Sequence, residues 1–155
     1  MIRSASLSDD RRFRYALVRT WDSDRPSILF VGLNPSIADA KRDDPTVRRC
    51  IAFAERWGFG TLLMGNIFAL RSTDPKALRT AIDPVGPEND QWLARLVKRA
   101  DKVVAAWGNG GRHLQRDQAV LAALGNTYCL GTTARGCPRH PGRLAAETRL
   151  RLLAV

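Results

Sequence analysis

Short apolar runs alternate along the chain with longer segments in which apolar positions recur every three to four residues. The runs are typical of buried parallel strands, and the longer segments are typical of amphipathic helices. Strands are predicted over 27–33, 61–70, 102–108 and 127–131, and the segment 12–21 could add an edge strand. Helices are predicted over 46–58, 72–82, 88–100, 110–126 and 144–154.

This order of elements predicts a single α/β domain over residues 1–155. We expect a three-layer α/β/α arrangement around a mostly parallel sheet of four to five strands. No apolar run reaches the ~18–20 residues that span a bilayer. The first residues also lack the apolar stretch of a signal peptide. A soluble, cytoplasmic protein without a membrane partner is therefore expected.

Glycines and polar residues follow the predicted strands, where open α/β sheets bind their ligands. Gly32 and Pro35 favour a tight turn, and Asn34 offers one acceptor and two donors to a ligand or a water. Asn66 could read the edge of a base, and Phe68 fits either the core or a stacking contact. The candidate binding residues at these strand ends are Gly32, Pro35, Ser36, Asn66, Phe68, Arg71, Trp107 and Gly108.

The loop after the first strand carries the carboxylates Asp39, Asp43 and Asp44. Carboxylates can act as general bases or bind a metal, and Asp39 is the catalytic candidate among them. The same residues also suit a capped turn that faces solvent, so both interpretations stay open.

The three cysteines are widely spaced, and the two histidines do not lie at ligand spacing from them. The glycines after the third strand match neither a phosphate-binding loop nor a dinucleotide fingerprint. We therefore expect no metal site and no cofactor.

Charge points to a polyanionic partner. The chain has 25 Lys and Arg against 15 Asp and Glu, a formal net charge of +10. Such an excess favours nucleic acid, in the first place DNA, although a solvated basic surface would have the same composition. The loop 131–143 contains Arg135, Arg139 and Arg143, which could clamp phosphates, and His140, which could donate a hydrogen bond to a developing anion.

Four segments together resemble the bacterial "domain of unknown function 1643" family. They are LNPSIADAKRDDPTVRRCIAFAERWGFG, GNIFALRSTDP, PVGPENDQWL and CLGTTARGCPRHP. The resemblance covers nearly the whole chain, and the family name implies no activity.

A more distant resemblance is to the uracil-DNA glycosylase superfamily, especially its mismatch-specific and thermostable branches. It rests on the order of four strand-end pieces: Gly32-Leu33-Asn34-Pro35-Ser36, Gly65-Asn66-Ile67, Ala106-Trp107-Gly108 and His140-Pro141-Gly142. The resemblance implies a uracil-DNA glycosylase-like fold. It also implies that Asn34 positions the hydrolytic water, that Asn66 recognises a flipped base and that His140 stabilises charge on the departing base.

The sequence therefore predicts a DNA glycosylase-like enzyme with Asn34, His140 and Asp39 as catalytic residues. Two alternatives stay open. One is a catalytically silent nucleic-acid or nucleotide-binding module, and the other is a metal-dependent phosphodiesterase that uses Asp39, Asp43 and Asp44. The base and the oligomeric state are left open.

Overall fold

The computed structural model describes residues 1–153 and contains a seven-stranded sheet. Its strands are β1 (Ile2–Leu7), β2 (Arg14–Thr20), β3 (Ser27–Gly32), β4 (Thr61–Asn66), β5 (Lys102–Ala105), β6 (Tyr128–Cys129) and β7 (Arg151–Leu152). The helices are α1 (Pro45–Arg56), α2 (Pro75–Thr80), α3 (Asn89–Arg99) and α4 (Arg116–Leu124), and a 3₁₀ segment, Asn109–Gln115, precedes α4.

The strands lie in the order β1-β2-β4-β3-β5-β6-β7. The inner strands β4, β3, β5 and β6 run parallel to one another, whereas β1, β2 and β7 pair antiparallel to their neighbours. The predicted α/β class is confirmed, but the prediction of a mostly parallel sheet of four to five strands was wrong. The sheet is larger and mixed because antiparallel strands extend both of its edges.

The largest difference from the predicted helices lies at the carboxyl end of the chain. The helix predicted over 144–154 is wrong, since Arg151 and Leu152 pair with β6 and extend its open edge. Ala154, the last residue of that prediction, lies outside the described residues. The helix predicted over 110–126 is interrupted, because Leu114 and Gln115 have φ angles of +57° and +54°.

Helices α1, α3 and α4 divide between the two faces of the sheet. On one face, apolar side chains of α1 pack on alternate residues of β3 and β4. On the other face, α3 and α4 cover the residues between them. The first core contains Ile28, Phe30, Val47, Phe53, Leu62 and Met64, and the second contains Leu29, Val31, Leu63, Leu93, Leu96 and Val120.

The start of α1 is specified by two adjacent residues. Asp44 accepts a hydrogen bond from the backbone N–H of Val47, and Pro45 follows at the first helical position. The amino end of α1 lies beside the carboxyl ends of β3 and β4. Among residues 1–153, none of the helices has the length and apolarity needed to cross a bilayer.

Candidate functional site

A cavity of about 130 Å³ lies between the carboxyl ends of β3, β4 and β5 and the amino end of α1. For comparison, an engineered apolar cavity of about 150 Å³ holds benzene. The cavity is therefore close in size to one planar ring. Its lining comprises Arg14, Phe30, Gly32, Leu33, Asn34, Pro35, Ser36, Asp44, Thr46, Val47, Cys50, Met64, Asn66, Ala106, His140 and Pro141.

Asn66 supplies a buried amide to this cavity. It is 3% exposed, and its Nδ2 has no hydrogen-bond partner among the residues that the structure describes. The end of its strand is held by Asn89, whose Nδ2 donates to the Asn66 carbonyl at 2.9 Å and to the Ile67 carbonyl at 3.2 Å. A buried amide nitrogen without a partner costs free energy. A ligand that accepts a hydrogen bond from Asn66 Nδ2 would therefore remove this cost on binding.

Asn34 has its amide nitrogen committed to the protein. Nδ2 donates to the carbonyls of Ser72 at 3.0 Å, Pro35 at 3.2 Å and Leu70 at 3.4 Å. These bonds tie the turn after β3 to the loop after β4. They also fix the orientation of the amide, which leaves Oδ1 as the side-chain atom that can accept a hydrogen bond from a ligand or a water.

Arg14 also lines the cavity, although the sequence analysis did not select it. It is 2% exposed, its Nη1 donates to the Ala38 carbonyl at 2.9 Å, and its Nε has no partner within residues 1–153. Burial lowers the pKa of Arg14 to about 10, and the nearby Asp44 carboxylate opposes this shift. The side chain therefore remains a cation at neutral pH.

Asp44 brings a carboxylate to the same cavity. It is 6% exposed, and its Oδ1 accepts the hydrogen bond from Val47 that caps α1. The amino end of a helix carries a partial positive charge, which stabilises a carboxylate there. The cavity thus contains a cation at Arg14 and an anion at Asp44.

His140 lies exposed at the cavity mouth, in the loop that follows β6. Its Nδ1 accepts a hydrogen bond from the Gly142 backbone N–H at 3.0 Å, so the neutral ring carries its proton on Nε2. Desolvation lowers the pKa of His140, and Asp44 opposes this with a smaller effect. The ring is therefore neutral at pH 7 and can donate from Nε2.

Four of the candidate binding residues at the strand ends lie outside the cavity lining. Phe68 is fully buried in the core, with its ring centroid 5.6 Å from that of His113, and Trp107 is also buried. Arg71 holds the loop after β3, because its Nε donates to the Ser36 carbonyl at 3.2 Å. Gly108 has a φ of +71°, and its N–H donates to the Pro138 carbonyl at the base of the His140 loop.

Asp39 and Asp43 are occupied by local contacts. Asp39 accepts from the backbone N–H groups of Lys41 at 2.8 Å and Arg42 at 2.9 Å, and the first of these bonds has the largest part in lowering its pKa. Asp43 pairs with Arg19 at 2.8 Å. In the part of the chain that the structure describes, no cluster of three or more His, Cys, Asp or Glu residues could hold a metal ion.

Arg135, Arg139 and Arg143 are all exposed on the loop that carries His140. The Arg135 carbonyl accepts a hydrogen bond from Nη2 of Arg112, which ties this loop to the 3₁₀ segment. A wider, open groove beside the loop is lined by three arginines and one glutamate: Arg139, Arg149, Arg151 and Glu147. The cavity mouth therefore borders a basic surface.

A protein-family model described as "protein of unknown function (DUF1643)" matches residues 14–142. The chain belongs to the DUF1643 family. No curated protein and no solved structure shows significant similarity to this DUF1643 protein. The matched segment begins at Arg14 and ends one residue beyond Pro141, so it includes every residue that lines the cavity.

Proposed function

We propose that this DUF1643 protein is a DNA N-glycosylase-like enzyme of the cytoplasm, with a three-layer, uracil-DNA glycosylase-like fold. It would hold a flipped base in the cavity and hydrolyse the bond between that base and its sugar. The observation that carries the proposal is Asn66, which lines the one-ring cavity and whose buried Nδ2 has no hydrogen-bond partner within residues 1–153.

Recognition of the base follows from the chemistry of the lining. Phe30, Met64 and Val47 offer apolar contact to a planar ring, while Asn66 offers donors to an acceptor on the ring edge. A base in a duplex must leave the stack before it can reach such a cavity, at a cost of a few kcal/mol. Contacts to the flipped base offset part of that cost.

The hydrolytic water and the sugar would bind beside Asn34. The fixed Asn34 Oδ1 can accept a hydrogen bond from a water and orient its oxygen toward C1′ of the sugar. As the glycosidic bond breaks, its electron pair leaves with the base, and the water oxygen bonds to C1′ and releases a proton to solvent. Asp44 supplies the negative charge that favours the oxocarbenium-like sugar.

The departing base acquires negative charge, and His140 can donate to it. A neutral imidazole with its proton on Nε2 gives a directed donor without first losing a proton. Removing one such preorganised donor typically costs ~10²–10³ in rate.

The arginine-bearing loop supports DNA as the substrate. Arg135, Arg139 and Arg143 project from the segment that carries His140, so phosphate contacts made by this loop would bring DNA to the cavity mouth. Excision is favoured over metal-dependent phosphodiester cleavage, because Asp39, Asp43 and Asp44 each have a different structural contact.

A base-excision assay tests the proposal. End-labelled oligonucleotides with uracil, hypoxanthine, xanthine or a mismatch, single- and double-stranded, are incubated with the protein in EDTA, and alkali then cleaves abasic sites. We expect strand cleavage with at least one substrate, lost in Asn66→Ala, Asn34→Ala and His140→Ala. The exposed Asn126→Ala variant is the matched control and should retain activity.

The other outcomes are distinct. Tight, salt-sensitive DNA binding without cleavage would refute excision and support the alternative, a catalytically silent binding module. Absence of both cleavage and DNA binding would overturn the proposal.

A further inference from the structure

Two arginines of β2, Arg14 and Arg19, are buried, and their guanidinium groups differ in their ion pairs and hydrogen bonds. Arg19 is fully buried and pairs with Asp43 at 2.8 Å. Its Nη atoms also donate to backbone carbonyls, among them that of Arg42 at 3.0 Å. Arg14 donates to the Ala38 carbonyl, and within residues 1–153 no carboxylate lies at ion-pairing distance from it.

The negative charges near Arg14 do not outnumber the other positive charges there, so its own charge is not neutralised by the protein. The charged groups that act on its guanidinium are Asp44, Arg71, Arg19 and Asp39, two anions and two other cations. Asp44 accepts the capping hydrogen bond of α1, and Asp39 accepts backbone hydrogen bonds of its own turn. Arg19 is therefore a structural arginine, whereas Arg14 has unused donor capacity beside a cavity.

We propose that Arg14 is the counter-ion of the anionic base that is released when the glycosidic bond breaks. The proposal rests on the function proposed above and adds to it a charge-stabilising residue and the ionisation state of the ring that the cavity binds best. Nε of Arg14 donates to an acceptor atom of the ring, and the guanidinium charge stabilises the electron pair that the base retains.

The placement of opposite charges supports this assignment. Bond breaking makes the sugar positive and the base negative, while the intact nucleotide is neutral at both positions. Asp44 and Arg14 line one cavity and carry the matching negative and positive charges. Because both are fixed before the reaction begins, they favour the charge-separated transition state over the intact substrate.

Equilibrium binding of free bases tests the proposal without any turnover. The probe is 5-nitrouracil, whose ring N–H ionises near neutral pH, titrated calorimetrically at pH values on both sides of its ionisation. We expect the wild-type protein to bind the ionised ring about tenfold or more tightly than the neutral ring, as hydrogen bonds to charged groups imply. Uracil, which stays neutral over this range, reports any effect of pH on the protein itself.

Variants assign the preference to a residue. Arg14→Met should abolish it, Arg14→Lys should retain part of it, and the exposed Arg12→Met, the matched control, should leave it unchanged. A preference that persists in Arg14→Met and is lost in His140→Ala would overturn the proposal. If Arg14→Met does not fold, the wild-type titration still decides, because equal affinity for neutral and ionised rings contradicts the proposal by itself.

The two proposals fail separately. If the protein prefers the ionised ring through Arg14 but excises no base, the charge-stabilising role of Arg14 toward an anionic ring stands and the glycosylase activity is refuted. If the protein excises a base but shows no preference for the ionised ring, the glycosylase activity stands and the role of Arg14 is refuted.

Discussion

Gly32 and Asn66 are paired opposite each other at the carboxyl ends of β3 and β4, and a Cβ on residue 32 would lie 2.8 Å from Asn66 Oδ1. Side-chain atoms do not approach so closely without displacement. The bare backbone of residue 32 therefore allows the Asn66 amide to occupy the cavity wall.

Gly32→Ala should accordingly displace the Asn66 amide. We expect excision to fall about tenfold or more, as expected for loss of a hydrogen bond to a base edge. Gly65→Ala is the contrast, because its Cβ would meet Leu93 Cδ2 at 2.9 Å in the core on the other face. It should lower the melting temperature while excision per folded molecule is kept. Equal excision by wild type and Gly32→Ala would contradict the role of Asn66.

Replacing Asn34 with aspartate should destabilise the protein. The carboxylate cannot donate to the carbonyls of Pro35, Leu70 and Ser72, which would then face a negative charge. We expect the free energy of unfolding to fall by about 1–3 kcal/mol, measured by urea denaturation. If Asn34→Asp were as stable as wild type and excised bases faster, residue 34 would act as a general base and not as an oriented amide.

The Arg19–Asp43 pair predicts a purely structural effect. Asp43→Asn leaves the buried Arg19 charge without its partner, which should cost about 3–5 kcal/mol of unfolding free energy. The exposed Asp24→Asn is the control and should change little. Excision per folded molecule should persist in EDTA. Loss of activity at unchanged stability would instead favour the metal-dependent alternative.

The lowered pKa of His140 predicts the direction of two pH effects. The folded protein holds this ring neutral at pH values where the unfolded chain, near pH 6.5, already begins to bind a proton. Its contribution to stability is therefore fully present above about pH 6.5 and is lost as the pH falls from there through the lower pKa of His140 in the folded protein. Excision should remain constant above the same pH and decline only below it.

Nuclear magnetic resonance titration checks this, since the chain has two histidines and His140→Gln identifies the signal. A pKa of His140 above 6.5 in the folded protein would contradict the neutral donor.

The arginine-bearing loop predicts a change in salt dependence. If Arg139 and Arg143 each contact a phosphate, replacing one by alanine should reduce the slope of log affinity against log salt by ~0.9. Arg99→Ala is the matched control, since its carbonyl contacts Ser27 at the opposite end of β3 from the cavity. Fluorescence anisotropy with labelled DNA measures both slopes. If the slope is unchanged in all the variants, Arg139 and Arg143 do not contact phosphates, and DNA binds at another surface.

Hydrophobic patterning was sufficient for the inner part of the fold. The apolar runs predicted β3, β4 and β5, because strands covered on both faces consist almost entirely of apolar residues. β1 was not predicted, since an exposed outer strand needs no apolar run, and β7 has two exposed residues whose pairing with β6 leaves little trace in the sequence.

The site was predictable where it depends on strand ends. Gly32 and Asn66 end β3 and β4, and Asn34 and His140 lie in the loops after β3 and β6. They line one cavity because parallel strands end at one edge of the sheet. Arg14 was not predictable in this way. An arginine at the start of a strand expected at the sheet edge looks exposed, and only the placement of β1 outside β2 and of the Ala38 loop against it buries the charge.

The cavity draws its walls from positions as far apart as Arg14 and Pro141, and one hydrogen bond, from Arg49 Nε to the Pro141 carbonyl at 3.2 Å, joins α1 to the last wall segment. During synthesis, domains generally fold as units. A nascent chain of this protein therefore has no complete cavity until synthesis has passed Pro141. Competence to bind a base should arise only after that residue has left the ribosome, when the His140 loop can reach α1.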